Sequence, residues 1–318
     1  MTVNWGILST AHINRRVIPA MRHSDRGHLL AVASRDLDKA QEYAAQWRIP
    51  HAYGSYDDLL ANDSIQAVYI SLPNHLHTEW ILKALQSGKH VLCEKPMCMT
   101  ISELESVEKE MERTGLHVME GYMHLHHPQT HLWKSIIDAG TLGEVQMITS
   151  SFSFTLERPE NNYRWDEDAG GGALWDVGVY PITLMQYLFN DAPLSAMSIM
   201  DKARGIDMTT SAMLEFSHAR AGYFFVSFRS DFSTDTCIHG TLGQLMISHP
   251  YTNVDACQAF IRNGNKTERV EVPREYLYNG EIENMHDMIL DGKPSRVPMS
   301  VSKNTLRSLE MLFKNKKT

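Results

Sequence analysis

Val91-Leu92-Cys93-Glu94-Lys95-Pro96 is the stretch that decides the fold of this chain. It is a short apolar run with helix patterns on both sides, which is typical of a buried parallel strand. The carboxyl ends of such strands face the ligand crevice of an open α/β sheet, and Pro96 favours an extended Lys95. The stretch predicts a lysine held where a substrate oxygen can lie; an ordinary exposed loop lysine is the alternative.

The first half of the chain alternates strands and helices around this run. Alternation of this kind predicts a doubly wound parallel sheet, which we assign to residues 1–121 as a nucleotide-binding domain. The predicted strands are 3–8, 29–33, 67–71, 91–96 and 116–120, and the predicted helices are 13–22, 37–47, 56–61, one that ends at 87, and 102–114.

The turn after the first strand resembles a glycine-rich turn that places a pyrophosphate on a helix N-terminus. Gly6 is kept, but Ser9 and Ala11 stand where glycines are usual. The Ser9 side chain limits close backbone approach, although its hydroxyl is a possible phosphate donor. A plain strand–turn–helix is the alternative. The predicted contacts are Gly6, Ser9, Thr10, Ala11, His12 and Ile13.

The second strand ends in Ser34-Arg35-Asp36. An acidic residue there suits the ribose hydroxyl of NAD, whereas an arginine suits the 2′-phosphate of NADP. Arg35 is a bidentate phosphate partner, and Ser34 and Lys39 add a hydroxyl and a charge. Asp36 is the contrary evidence. We therefore favour NADP, with NAD as the alternative.

Polar residues also follow the third strand, where they can line the cofactor crevice or only cap a helix. Four histidines near residue 124 invite a metal interpretation, but no nearby carboxylate or cysteine completes a ligand set, so we predict no metal and a histidine-rich crevice wall. The predicted crevice residues are Ser71, Leu72, Asn74, His77, Glu94 and Lys95, and the histidines are His124, His126, His127 and His131.

From Val145 onward the pattern changes to short alternating stretches, which predict a large, mostly antiparallel sheet with one open face. We assign residues 122–318 to this α+β domain and expect two late helices, 281–290 and 301–314, to pack back on the first domain. Aromatic residues would make the open face a surface for a homodimer or homotetramer. They are Phe152, Phe154, Tyr223 and Phe225.

A glycine motif interrupts this half. Residues 161–166, Asn-Asn-Tyr-Arg-Trp-Asp, precede residues 169–181, Ala-Gly-Gly-Gly-Ala-Leu-Trp-Asp-Val-Gly-Val-Tyr-Pro. Glycines let backbone pass close to a ligand, and Asp176 and Tyr180 share a face if this segment is helical. Pro181 leaves the helix start open. The alternative is a glycine loop that caps a buried helix.

Glu94-Lys95-Pro96 and the Gly-Gly-Gly-Ala-Leu-Trp-Asp-Val-Gly-Val-Tyr-Pro motif together resemble the glucose–fructose oxidoreductase/inositol dehydrogenase (Gfo/Idh/MocA) family over nearly the whole chain. The Tyr-Pro form is similar to the branch with NADP-dependent xylose dehydrogenases and dimeric dihydrodiol dehydrogenases. The resemblance implies a Rossmann domain, oligomerisation through the open sheet, and hydride transfer at a carbohydrate or similar alcohol. It also implies that Lys95, Tyr180 and Asp176 lie in the active site.

The chemistry of such a site needs a base for the hydroxyl proton. A tyrosine has a pKa near 10, which a nearby ammonium such as Lys95 would lower. We predict Tyr180 as acid/base, with Asp176 orienting Lys95 or a substrate hydroxyl. Tyr163 is a predicted substrate contact, and Arg164 and Trp165 are predicted cofactor contacts.

The predicted function is an NADP-dependent oxidoreductase of a sugar or cyclic diol. The alternatives are a deoxysugar or inosose ketoreductase and a non-catalytic NADP-binding sensor.

Composition sets limits on the function. The chain has 318 residues, 43% of them hydrophobic and 21% charged, with a net charge of −8. This balance argues against nucleic-acid and acidic-membrane partners, and no apolar run approaches the ~20 residues of a membrane span. Four cysteines without a Cys-x-x-Cys pair and no signal-peptide pattern predict a reduced, cytoplasmic protein.

Overall fold

A computed structural model describes residues 2–157, 162–252 and 255–317. Asn161, which begins the predicted Asn-Asn-Tyr-Arg-Trp-Asp stretch, lies outside the described residues. The chain divides into two compact units. The first comprises Met1–Met123 and Tyr278–Met299, and the second comprises His124–Leu277 and Ser300–Thr318.

The first unit contains a six-stranded parallel sheet, which confirms the predicted doubly wound fold. Its strands are β1 (Val3–Leu8), β2 (Gly27–Ala33), β3 (His51–Tyr53), β4 (Ala67–Ile70), β5 (His90–Glu94) and β6 (Val118–Gly121), in the order β3-β2-β1-β4-β5-β6. Its helices include α1 (Asn14–His23), α2 (Leu37–Trp47), α3 (Tyr56–Leu60), α4 (His77–Gln86) and α5 (Ile101–Thr114).

Local signals explain why these elements begin and end where they do. All four residues of β4 are buried, as expected of a central parallel strand. Thr100 and Glu103 form a reciprocal capping box at the start of α5, and Gly115 ends that helix with a φ of 70°. Burial thus explains the position of β4, and the two caps explain where α5 begins and ends.

The second unit is built on a nine-stranded sheet. Its helices are α6 (Met123–His126), α7 (Pro128–Asp138) and α8 (Val179–Phe189), and its strands are β7 (Val145–Ser153), β8 (Ser195–Ala203), β9 (Ile206–Glu215), β10 (Ala221–Ser227), β11 (Asp235–Gly240), β12 (Gln244–Ser248), β13 (Ala259–Asn263), β14 (Lys266–Val270) and β15 (Lys316–Lys317). The order is β14-β13-β12-β11-β7-β10-β9-β8-β15. Among the described strands of this second sheet, only the β7–β10 and β8–β15 pairs are parallel, so the prediction of a mostly antiparallel sheet is confirmed.

One prediction about this half is corrected, and the two late helices divide between the units. Of the late helices, α9 (Asn279–Asp291) belongs to the first unit but α10 (Met299–Lys314) belongs almost entirely to the second, where Thr305 accepts a hydrogen bond from Gln186 at 2.9 Å. Phe152 does not share the open face with Phe225, because Phe225 pairs with Ser151 and successive side chains of a strand alternate. Phe152 is buried instead.

Among the described residues, no helix combines the length and the apolar character that a membrane crossing requires.

Candidate active site

The turn that links β1 to α1 has a backbone conformation typical of glycine, although a serine occupies that position. Ser9 has a φ of 128°, and its hydroxyl lies 2.8 Å from the Ser71 hydroxyl and accepts the Ala11 N–H at 3.1 Å. The Ser9 hydroxyl therefore holds the turn together. Gly6 lies inside β1, where a Cβ would come within 2.7 Å of Leu59, so its small size serves packing.

The start of α1 suits an anion. Within the described part of the chain, no side chain caps α1 and no acidic residue lies in its first turn. The Asn14 and Arg16 N–H groups donate to the Ala11 and Ile13 carbonyls, at 3.1 and 2.8 Å, so it is the helix dipole that favours negative charge at this end. The predicted contacts here are the half-buried Thr10, Ala11 and Ile13 and the exposed His12.

The predicted 2′-phosphate contacts lie at the end of β2. Arg35 is exposed. Burial raises the pKa of the Tyr56 phenol, and the positive charge of Arg35 partly opposes that rise. Asp36, whose N–H donates to the Ser34 hydroxyl at 3.3 Å, caps α2 by accepting the Lys39 N–H, also at 3.3 Å. Lys39 Nζ lies 3.7 Å from the same carboxylate. Asp36, the residue that argued against NADP, thus has a structural role as a helix cap.

The crevice residues after β4 are more buried than the sequence suggested. Ser71 donates to the Asn14 side chain at 2.6 Å, and both Leu72 and Asn74 are buried. His77 is fully buried, with its ring nitrogens 2.8 Å from the Pro96 carbonyl and 2.7 Å from the Leu72 carbonyl. Burial lowers the pKa of His77, and the two carbonyls oppose this. His77 thus tethers the chain after Lys95.

Lys95 is half-buried directly after β5, and the Lys95–Pro96 peptide bond is cis. The preceding Glu94 accepts a hydrogen bond from the Tyr69 hydroxyl at 2.5 Å. Glu281 on α9 is only 1% exposed, and burial, followed by the charge of Glu94, raises its pKa well above the usual value. Lys95 is therefore preceded in the chain by Glu94, which interacts with the Tyr69 phenol and the Glu281 carboxyl. Of these three residues, only Glu94 was predicted from the sequence.

The second unit holds the other predicted residues, beginning with an ion pair. Arg164 lies in a 3₁₀ turn, Tyr163–Trp165, and donates to both oxygens of the buried Asp176, at 2.6 Å from Nε and 3.2 Å from Nη2. This bidentate geometry is the strongest that a guanidinium and a carboxylate make. Asp176 raises the pKa of Arg164, which burial opposes. The Arg164 guanidinium also lies 5.0 Å from the centre of the Tyr163 ring.

Tyr180 lies one turn beyond Asp176. Residues Leu174–Gly178 form a π-helix that continues into α8, so the uncertain helix start lies before Asp176. Tyr180 is 8% exposed, and its ring centre lies 5.1 Å from that of His124, 5.2 Å from that of Phe152 and 5.5 Å from that of Tyr251. The neighbouring phenol of Tyr251 is fully buried, which raises its pKa to about 12.

Three of the four predicted histidines have different hydrogen-bond partners, and the fourth, His126, is buried. His124 Nε2 lies 3.1 Å from the Thr183 hydroxyl, His127 Nε2 lies 3.0 Å from the Glu275 carbonyl, and His131 Nε2 lies 3.1 Å from the Leu125 carbonyl. His127 also caps α7. Within the described residues, no group of three or more histidines, cysteines or acids has the geometry of a metal site.

Residues that the sequence did not indicate lie behind the predicted ones. In the first unit, Tyr69 and Glu281 interact with Glu94. In the second unit, Asp207 on β9 accepts the Leu174 N–H at 2.9 Å. An acid between two apolar residues, Ile206 and Met208, was the available signal for Asp207, because a buried carboxylate needs a partner.

Comparison with known proteins identifies the family. The profile described as "Oxidoreductase family, NAD-binding Rossmann fold" matches residues 3–122, and the Gfo/Idh/MocA C-terminal domain profile matches residues 131–246. An uncharacterised oxidoreductase of Rhizobium meliloti, ORF334, is 36% identical over 98% of this chain and 96% of its own. D-xylose 1-dehydrogenase (NADP(+)) 2 of Haloferax volcanii is 34% identical over 99% of this chain and 97% of its own.

Among solved structures, KijD10, a 3-ketoreductase from Actinomadura kijaniata in complex with NADP and TDP-benzene, superposes with a TM-score of 0.90. It is 26% identical and covers 100% of this chain and 98% of its own. The sequence resemblance is thereby confirmed, and the chain belongs to the Gfo/Idh/MocA family of oxidoreductases.

Proposed function

We propose that this protein is an NADP-dependent oxidoreductase that transfers a hydride between nicotinamide and a secondary alcohol or ketone of a sugar or cyclic diol. The observation that carries the proposal is that this chain, a member of the family, has both Lys95 and Tyr180. Lys95 follows the end of β5, and Tyr180 lies one turn after Asp176, which is paired with Arg164. The NADP-dependent xylose dehydrogenase relative supports both the cofactor and the class of substrate.

The cofactor assignment rests on residues of the first unit. The uncapped, acid-free start of α1 and the glycine-like turn at Ser9 suit a pyrophosphate. Arg35 is exposed at the end of β2, where a 2′-phosphate is read, while Asp36 is engaged as a helix cap. We propose that Ser34 and Lys39 assist Arg35. Bound NADP supplies the hydride acceptor or donor.

The proton chemistry is assigned to this chain's own side chains. In alcohol oxidation Tyr180 takes the hydroxyl proton as a phenolate, and in ketone reduction it returns that proton to the oxygen. Lys95 stabilises the negative charge that develops on the oxygen and favours the phenolate. Asp176 presents a carboxylate whose direction Arg164 fixes. Tyr163 and Trp165 flank Arg164 and are proposed as substrate and nicotinamide contacts.

A second candidate is the reductive direction on a deoxysugar ketone, which the likeness to KijD10 favours. Both candidates use the same Tyr180 proton and differ in the substrate and the direction. A non-catalytic NADP sensor of the same fold is the candidate of a different class, and the presence of both Lys95 and Tyr180 argues against it.

We further propose a homo-oligomer that forms through the open face of the nine-stranded sheet. A row of side chains crosses that face from strand to strand, and Met197 and Tyr223 in it are exposed. Exposed apolar surface of this kind marks association sites. In light scattering, a mass near 36.2 kDa would contradict this. The row is Met197, Met213, Tyr223, Thr149, Cys237, Met246 and Phe260.

The four cysteines are free in the structure, which supports the proposal of a reducing, cytoplasmic location.

A substrate panel tests the proposed function. NADP⁺ and NAD⁺ are offered with pentoses, hexoses, inositols and dihydrodiols, and NADPH is offered with keto- and deoxyketosugars. We expect turnover with NADP(H) on at least one substrate, lost in Tyr180→Phe and kept in Tyr187→Phe, a matched phenol removal on the same helix. Tight NADPH binding without turnover on any substrate would contradict the enzyme assignment and favour the sensor.

A further inference from the structure

The second unit contains a buried acid to which the proposed reaction assigns no role. Asp207 on β9 is 1% exposed. Its Oδ2 accepts the Leu174 N–H at 2.9 Å and the Thr210 hydroxyl at 2.7 Å. Burial raises the pKa of this carboxyl, and both hydrogen bonds oppose that rise. Burial of a carboxylate is costly unless hydrogen bonds compensate it, and Oδ2 makes both of these bonds, since Oδ1 is buried without a hydrogen-bond partner among the described residues.

One of those partners is the start of the helix that carries the proposed chemistry. Leu174 is the first residue of the π-helix, and Ala173, which precedes it, makes no side-chain cap. The first N–H groups of a helix need acceptors from elsewhere, and a negative charge there is favoured by the helix dipole. Asp207 meets both needs from a neighbouring strand.

The third glycine of the motif makes room for this carboxylate. Gly172 has a φ of 112°, and a Cβ there would lie 2.3 Å from Asp207 Oδ1. Any side chain at residue 172 would therefore displace Asp207 as well as strain the backbone.

The same loop holds the turn that carries Arg164. The Gly172 N–H donates to the Arg164 carbonyl at 3.1 Å, and the Gly171 N–H donates to the Asp166 carbonyl at 2.8 Å. A Cβ at Gly171 would lie 2.7 Å from the Arg164 carbonyl oxygen. One glycine loop thus joins the Arg164 turn on one side to the Asp207-capped helix on the other.

We propose that Asp207 is a positioning residue, which fixes the start of this helix so that Asp176 meets Arg164 and Tyr180 keeps its reactive orientation. The inference rests on the proposed function, since it concerns the same tyrosine. Without the carboxylate, the Leu174 N–H loses its acceptor and the first turn shifts. A displacement of about 1 Å in a reacting group can cost ~10²-fold in rate.

The test compares Asp207→Ala with Asp207→Asn and Thr210→Val. Asparagine keeps an acceptor oxygen for Leu174, whereas Thr210→Val removes the other hydrogen bond of the same carboxylate oxygen. Three quantities are measured: the single-turnover rate of hydride transfer, the dissociation constant of NADP⁺, and the hydrogen exchange of the Leu174 amide.

We expect Asp207→Ala to lower the single-turnover rate by about 10²-fold with unchanged NADP⁺ binding and to speed exchange at Leu174. Asp207→Asn should recover most of the rate, and Thr210→Val should lose stability but keep the rate. Equal rate losses in Asp207→Ala and Thr210→Val, or an unchanged rate in Asp207→Ala, would overturn the proposal.

Two further measurements keep the result interpretable. If Asp207→Ala does not fold, Gly172→Ala replaces it, because the methyl group displaces the carboxylate that remains; full activity there would contradict the proposal. If the wild type turns over no substrate, the proposed function fails, and exchange at Leu174 alone decides whether Asp207 holds the helix.

Discussion

Two turns that precede functional helices solve the same backbone problem differently. The turn before α1 places a serine, Ser9, at a φ of 128°, where glycine is usual. The loop before the π-helix places a glycine, Gly172, at a φ of 112°. Both backbones are strained for an ordinary residue, yet only one of the two uses glycine.

The two turns differ in the atoms that surround the Cβ position of the residue with positive φ. The Ser9 hydroxyl is bonded to Ser71 and Ala11, so the side chain holds the turn. At Gly172 the same space is filled by the Asp207 carboxylate. A glycine is therefore required by the atoms opposite it as much as by its φ. The departure from the glycine-rich pattern at Ser9 leaves the turn geometry intact.

The largest expected effect comes from Lys95, which belongs to the unit with the serine turn. Lys95→Met removes the ammonium that stabilises charge on the reacting oxygen, so the single-turnover rate should fall by about 10²–10⁴-fold. Lys89→Met, which removes a lysine that donates to the Asn62 carbonyl elsewhere in the same unit, serves as the control and should keep the rate. A normal rate in Lys95→Met would show that the first unit supplies only cofactor binding.

Arg35 gives the next largest effect and tests whether the serine turn belongs to an NADP site. Arg35→Ala should weaken NADP⁺ binding by about 1.5–3 kcal/mol, the value of a charge-assisted hydrogen bond. NAD⁺ binding should barely change, because NAD⁺ lacks the 2′-phosphate. Dissociation constants for both cofactors decide this, and equal weakening of both would remove the main support for NADP.

A paired exchange tests the comparison of the two turns directly. Gly172→Ala places a methyl group against the Asp207 carboxylate at a φ of 112°, so the free energy of unfolding should fall by about 1–3 kcal/mol. Ser9→Gly relieves ~1–3 kcal/mol of backbone strain but loses hydrogen bonds of about 0.5–1.5 kcal/mol each, so its net effect should be smaller. Urea unfolding of both variants measures this. A larger loss in Ser9→Gly would refute the comparison.

The smallest effect concerns the acid cluster beside Lys95. The pKa of Glu281 is raised by burial, so above about pH 4.3 the unfolded chain ionises this group while the folded chain keeps it protonated. Rising pH therefore costs the folded wild type stability, up to the raised pKa. Glu281→Gln removes this cost.

The stability advantage of Glu281→Gln over the wild type should thus be near zero at about pH 4 and grow as the pH rises above it. Glu112→Gln, a change at an exposed carboxyl of the same unit, should show no such trend. Thermal unfolding at several pH values measures both. A flat difference for Glu281→Gln would mean that Glu281 is ionised in the folded protein.

Local signals in the sequence were sufficient for much of the first unit. The bounds of β1 and α2 agree with the prediction because apolar runs and the Asp36 cap act within a few residues. β3 was missed because it has three residues, none of them buried, and β11 was missed because polar side chains occupy one of its faces.

Contacts between distant residues could not be predicted in this way. Asp207 meets Leu174 across 33 residues, and Glu281 was identified only as the first residue of the predicted helix 281–290. The two carbonyl oxygens that contact the ring of the buried His77, those of Pro96 and Leu72, were not predicted either. Such pairings depend on which strands and helices become neighbours, and that information is not local.

The most direct test of the account is the single-turnover rate of NADPH formation against pH, on the substrate that the panel identifies, in the wild type, Tyr180→Phe and Tyr187→Phe. We expect a wild-type rate that rises with pH as Tyr180 loses its proton, a fall of about 10²–10⁴-fold in Tyr180→Phe, and a Tyr187→Phe profile that matches the wild type. NADP⁺ binding should be equal in all three. Full single-turnover activity in Tyr180→Phe would contradict this assignment. Another group would then be the acid/base, with His124 the first candidate.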